Sequence, residues 1–141
     1  MWGKKMTEQV LYQTIVENQD GISGHVRTVT SEDLDVTVSS PLRAAPGTNP
    51  EQLLGAAFAT CLNATIEAEE MRRRLTHQSV VRVSVALARD VQGFQFHVKA
   101  RVTIPHVPHG EAVAILAVAE QRCPVAKLLA GSDHVTVVLD A

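Results

Sequence analysis

From Gln52 to about Arg74 nothing in the sequence breaks a helix except the tolerable Gly55, and this one long segment constrains the fold most. Thr48-Asn49-Pro50-Glu51 makes a good start for it. Asn49 suits the cap, Pro50 the first helical position, and Glu51 the positive end of the helix dipole. The first half, Leu53-Leu54-Gly55-Ala56-Ala57-Phe58-Ala59-Thr60-Cys61-Leu62, is apolar on nearly every face, the mark of a buried helix. The second half, Glu67 to Arg74, is charged and is expected to emerge into solvent.

Whatever covers that helix must come from the segments around it. Val10 to Val16, His25 to Val29 and Leu34 to Val38 read as short strands, the first closed by the turn cluster Glu17-Asn18-Gln19-Asp20-Gly21. Two prolines and a glycine between Ser39 and Thr48 exclude helix or central strand there, so Arg43 is placed on a loop. Ser79 to Arg89 and Phe94 to Ile104 alternate in polarity and are joined by Asp90-Val91-Gln92-Gly93, which predicts an antiparallel hairpin. Glu111 to Gln121 is an amphipathic helix. Pro124 opens a short one through Leu129 with Cys123 at its cap, and Val135 to Leu139 is a last strand.

Strand runs punctuated by helices, without regular βαβ units, predict an α+β architecture. Three short strands in one chain do not suffice to cover an all-apolar helix. Either a larger sheet covers it or a second copy of the chain does, and the burial logic favours the second copy.

The 141 residues fit one domain, 1–141, or one subunit of a compact oligomer. A formal net charge of −2 gives no electrostatic reason to expect nucleic acid or an anionic membrane as partner. No apolar run approaches the roughly 20 residues of a membrane-spanning helix. Lys4 and Lys5 are followed by no apolar stretch, so the N-terminus does not read as a signal peptide. Residues 1–5 are expected to be a loose extension ahead of Met6, and a cytoplasmic address is the expectation. His106 and His109 flank Pro108 without any paired ligand motif, while His77 and His134 carry no specific signal. No metal or cofactor is expected. The triplet Arg72-Arg73-Arg74 follows Glu67, Glu69 and Glu70 and reads as a solvated helix end.

Two cysteines in a reducing compartment are more often catalytic or inert than permanently bonded. Taken alone, Cys61 in its apolar helix is inert packing more often than a nucleophile, and a reactive thiolate there needs a cation from elsewhere in the fold. Cys123 precedes Pro124 at a helix start, where unpaired backbone N–H groups and the dipole favour a thiolate. An ordinary cap is the competing reading.

Two contiguous stretches add more. Gly47-Thr48-Asn49-Pro50-Glu51-Gln52-Leu53-Leu54-Gly55-Ala56-Ala57-Phe58-Ala59-Thr60-Cys61 closely resembles the signature of the OsmC/Ohr family, the osmotically inducible protein C and organic hydroperoxide resistance proteins. Cys123-Pro124-Val125-Ala126-Lys127-Leu128-Leu129-Ala130-Gly131 resembles that family's second-cysteine motif. The resemblance implies an intertwined homodimer whose two long central helices pack between β-sheets, with two active sites at the interface. It also implies a peroxidase. Cys61 attacks the distal oxygen of an organic hydroperoxide, releasing the alcohol and leaving a sulfenic acid. Cys123 resolves this to a disulfide, which a dihydrolipoyl dithiol reduces. Glu51 matches the family's glutamate that holds the catalytic arginine. Ten residues of helix, about 15 Å, separate it from Cys61, so if both serve one site, Glu51 is expected from the partner subunit.

The arginine departs from the pattern. The organic-hydroperoxide branch carries an early Gly-Gly-Arg-Asp-Gly-like turn, whereas here Glu17-Asn18-Gln19-Asp20-Gly21-Ile22-Ser23-Gly24 has no arginine. The OsmC branch draws it from the loop before Thr-Asn-Pro-Glu. Arg43 occupies that loop and is the first candidate, with Arg27 the second. The chain therefore resembles a divergent member. Two other readings stand beside the peroxidase: a relative that binds a hydrophobic ligand or acyl chain, and a redox sensor.

Overall fold

The computed structural model describes residues 8–140, and the expected extension over residues 1–5 lies outside them. The described residues form two compact units, one ending at Pro50 and the other beginning at Glu51.

The first unit is a three-stranded antiparallel sheet of β1 (Val16–Asn18), β2 (Gly24–Thr28) and β3 (Asp35–Val38), in that order. The turn after β1 is closed by Asn18, whose Oδ1 accepts the Gly21 N–H at 2.7 Å, with Gly21 at φ 69°. The strand expected over Val10 to Val16 begins only at Val16. Its ladder ends where Val16 pairs Thr28, and beyond it the Val29 N–H donates to the Ile15 carbonyl at 3.0 Å and the Ile15 N–H to Thr30 Oγ1 at 3.4 Å. Propensity makes a strand only where a partner exists. After β3 the loop expected around Arg43 is present, and Thr48 returns to pair beside Val38. Val38 is this unit's one buried hydrophobic among the described residues, while Leu11, Tyr12 and Leu42 lie more than 70% exposed.

Helix α1 (Pro50–Arg72) opens at the predicted proline, with Glu51 in its first turn. The predicted hairpin follows as β4 (Val80–Asp90) and β5 (Gly93–Thr103), paired antiparallel along their whole length. The chain then crosses over through α2 (His109–Arg122) and α3 (Pro124–Leu129) to β6 (Val135–Leu139), which lies parallel to β5. Alternation divides the sheet: Val98, Ala100 and Val102 of β5 face the core, and their neighbours face out.

Phe58, Leu62 and Ile66 of α1 meet those strand residues and Ala112, Ile115, Leu116 and Ala119 of α2 in one core. Full burial of each large side chain contributes roughly 1.5–3 kcal/mol. Together these elements give the predicted α+β architecture.

One expectation fails at the end of α1. Glu69 and Glu70, placed in solvent by their charge, are 4% and 2% exposed. Burial is tolerated because each carboxylate has partners. Glu69 takes Arg72 and Arg73 at 2.6 and 2.8 Å; Glu70 takes His77 Nδ1 at 2.7 Å and the Ser79 hydroxyl at 3.1 Å. Arg72, Arg73 and Arg74 divide accordingly: the first two brace Glu69, and Arg74, at φ 62°, turns the chain out of the helix.

Candidate active site

Cys61 lies on α1 one residue before the buried Leu62, and is itself half-buried. Cys123 occupies the corner between two helices. Its N–H donates to the Ala119 carbonyl at 2.8 Å, closing α2, and its carbonyl accepts the Lys127 N–H at 2.9 Å, opening α3. Pro124 forces that break, because it has no N–H with which to continue α2 and suits the first position of α3.

This corner is packed onto the core beside α1, and the two sulfurs lie 3.6 Å apart, with the Cys123 thiol donating to Cys61 Sγ. Both cysteines are free. The separation is that of two thiols in contact, well beyond a bonded pair at about 2.05 Å.

Cys123 Sγ also accepts the Ala126 N–H at 3.4 Å, so the predicted helix-start contact is present. The predicted consequence is reversed. Cys123 is fully buried, and burial pushes its thiol up. The hydrogen bond to Cys61 adds to that, and the backbone N–H groups of Ala126 and Val125 only offset part of it. Six residues of α3 carry too little dipole to overcome desolvation. Cys123 therefore holds its proton.

Glu51 faces a groove of about 440 Å³ with Gln52, Gly55, Ala56, Ala59, Val83 and Val85. It stays ten residues, about 15 Å, along α1 from Cys61, so one chain does not bring the two together through that helix. Arg43 and Arg27 belong to the first unit. Arg43 is exposed on its loop, its N–H bonded to the Ser40 carbonyl at 3.1 Å. Arg27 on β2 pairs with Glu17 at 3.6 Å. At the early turn, Gln19 donates to Glu17 at 3.1 Å.

The chain is similar to known proteins from end to end. The model of the OsmC-like protein family matches residues 43–138, a span that takes in both cysteines. The chain belongs to the OsmC/Ohr family. An organic hydroperoxide resistance protein of Xanthomonas axonopodis pv. citri is 30% identical over 139 residues, covering 94% of this chain and 96% of that one. Among OsmC/Ohr structures, the organic hydroperoxide resistance protein OhrB of Bacillus subtilis superposes with a TM-score of 0.83 at 26% identity, over 93% of this chain and all of the other. A crystal structure from Lactobacillus casei gives 0.90 at 39% identity, covering 98% and 96%.

The network of Glu70, His77, Ser79 and Asn63, on the face of α1 away from Cys61, was not read from the sequence. Ser79 Oγ donates to Asn63 Oδ1 at 2.8 Å, and Asn63 Nδ2 returns a bond to the Ser79 carbonyl at 3.1 Å. The available signal was the spacing of Asn63 and Glu70, seven residues apart and hence on one helix face.

Proposed function

We propose that this OsmC/Ohr protein is a two-cysteine peroxidase that reduces organic hydroperoxides in the cytoplasm, with Cys61 as the attacking sulfur and Cys123 as the resolving one. The observation that carries it is the 3.6 Å approach of two free sulfurs from separate helices, with Cys123 as the protonated donor. The names of the relatives as organic hydroperoxide resistance proteins support the substrate class.

In the first step the Cys61 thiolate attacks the distal oxygen of R–O–O–H. The O–O bond breaks, the alkoxide takes a proton to leave as the alcohol, and Cys61 becomes a sulfenic acid. Cys123 then attacks that sulfur, water leaves with the hydroxyl and a proton, and a disulfide forms. A dithiol of the dihydrolipoyl type returns both cysteines to thiols by exchange and is itself oxidised to its disulfide. Arg43 is the guanidinium assigned to hold the thiolate, with Arg27 the alternative, and Glu51 orients it from a partner chain.

The working unit in this reading is a homodimer in which each whole chain acts as one domain. The support is physical: among its described residues the first unit buries one hydrophobic, Val38, and leaves Leu11 and Tyr12 largely and Ile15 and Val29 about half exposed. A sheet of that size has too little core to stand alone.

The deciding experiment mixes reduced protein with an alkyl hydroperoxide and maps the cysteines by mass spectrometry. A Cys61–Cys123 disulfide is expected, with one sulfenic acid accumulating in Cys123→Ser and no consumption in Cys61→Ser. Peroxide consumption by Cys61→Ser at the parent rate would sink the assignment.

A further inference from the structure

The β4-β5-β6 sheet turns a second face away from the core, and two histidines stand side by side on it. Val98 lies opposite Val135 in the parallel β5–β6 pair, and the Val98 N–H donates to the His134 carbonyl at 2.8 Å. His97 and His134 each precede those partners, so alternation puts both on the outward face. Both are exposed. Their rings meet edge to face with centroids 4.8 Å apart, and the two Nδ1 atoms are 3.3 Å apart. Strand register brings them together, since neighbouring strands run about 4.8 Å apart.

We propose that His97 and His134 form a two-imidazole chelate for a divalent transition-metal ion of the zinc, nickel and copper class. Two nitrogens bound at tetrahedral positions, with metal–nitrogen bonds of about 2.0–2.1 Å, stand about 3.3–3.4 Å from one another. That is the separation found. Small rotations of two exposed rings turn their lone pairs from each other toward a common point.

The surrounding charge narrows the class of metal. Lys99 and Arg101 share the outward face of β5, and Arg82 lies opposite Arg101. Asp140 is engaged by Arg101 at 3.1 Å. With Asp140 so engaged, the pair offers imidazole nitrogens rather than carboxylate oxygens, a donor set that suits zinc, nickel or copper and not magnesium or calcium. Among the described residues no group of three or more His, Cys, Asp or Glu is poised to hold a metal. Water fills the remaining positions, and the bound ion ties β6 to β5.

The test titrates Zn²⁺ into the Cys61→Ser/Cys123→Ser protein, which lacks the competing thiols, with calorimetry at neutral pH. One Zn²⁺ per chain is expected. Loss of a group one shell out already weakens metal sites about 10- to 100-fold, so His97→Gln and His134→Gln should each weaken binding at least about tenfold. His106→Gln/His109→Gln should leave it unchanged. Undiminished binding in either single variant, or no uptake at all, overturns the assignment. In the same double variant, substoichiometric Ni²⁺ should broaden the NMR signals of residues 97 and 134 first, and broadening centred elsewhere overturns it equally.

Discussion

Glu69 and Glu70 are neighbours on α1, and their burial is compensated in different ways. Hydrogen bonds from Arg72 and then Arg73 lower the Glu69 carboxyl from 4.5 to about 2 against the opposing effect of burial. Its depressed value makes it a source of stability above about pH 4.5 that is lost as pH falls toward about 2. His77 works in the opposite sense. Its hydrogen bond to Glu70 raises it above 6.5, so its contribution is full below that pH and fades as pH rises through the shifted value. Urea unfolding across pH should therefore show stability falling on both sides of a plateau. Glu69→Gln should flatten the acid limb and His77→Gln the limb above neutrality; unchanged limbs would remove these groups from the account.

Arg43 poses a kinetic question at the same scale. Arg43→Ala should slow peroxide attack by on the order of 10²–10³-fold, through loss of a cation and a transition-state donor. Stopped-flow measurement of Cys61 oxidation checks it. A near-parent rate in Arg43→Ala beside a large loss in Arg27→Ala would transfer the role to Arg27.

At the scale of elements, Gly47 shows what a single backbone position demands. It sits at φ 128°, where the loop after β3 folds back so that Thr48 pairs beside Val38, and an added Cβ would lie 3.0 Å from the Thr37 carbonyl oxygen. Gly47→Ala should cost about 1–3 kcal/mol in urea unfolding, and a change within about 0.5 kcal/mol would contradict the strained loop. Local rules wrote several elements plainly into the sequence. Pro50 opens α1, and the Ser79 to Ile104 alternation, broken at Asp90 to Gly93, gives the hairpin, because capping and side-chain period are decided within a few residues. Elements that depend on distant partners were not legible in this way. Val10 to Val16 has strand composition but little ladder, and Glu70 looks solvated until the chain returns with His77 and Ser79. The candidate site divides along the same line. Both cysteines were readable from their motifs, yet the state of Cys123 was not, because its burial in the same core as Phe58, Ile115 and Ala119 is a tertiary fact.

At the scale of the whole molecule, the proposed homodimer would bury apolar surface that the described residues leave exposed, Leu11 and Tyr12 of the first unit and Ala56 and Ala57 of α1 among it. Sedimentation equilibrium should return the mass of two chains down to low protein concentration, and a persistent monomer would refute the dimer. The crossover from β5 to β6 carries a further consequence, because its corner is Cys123. In the proposed cycle, a bond from that corner to α1 links residues 62 positions apart and removes about 4 kcal/mol of chain freedom from the unfolded state. Consuming oxidant would then fasten the fold, and recharging the enzyme would unfasten it. The oxidised chain would then be the harder of the two to unfold, so each round of the cycle would pass through one more and one less stable form of the same fold.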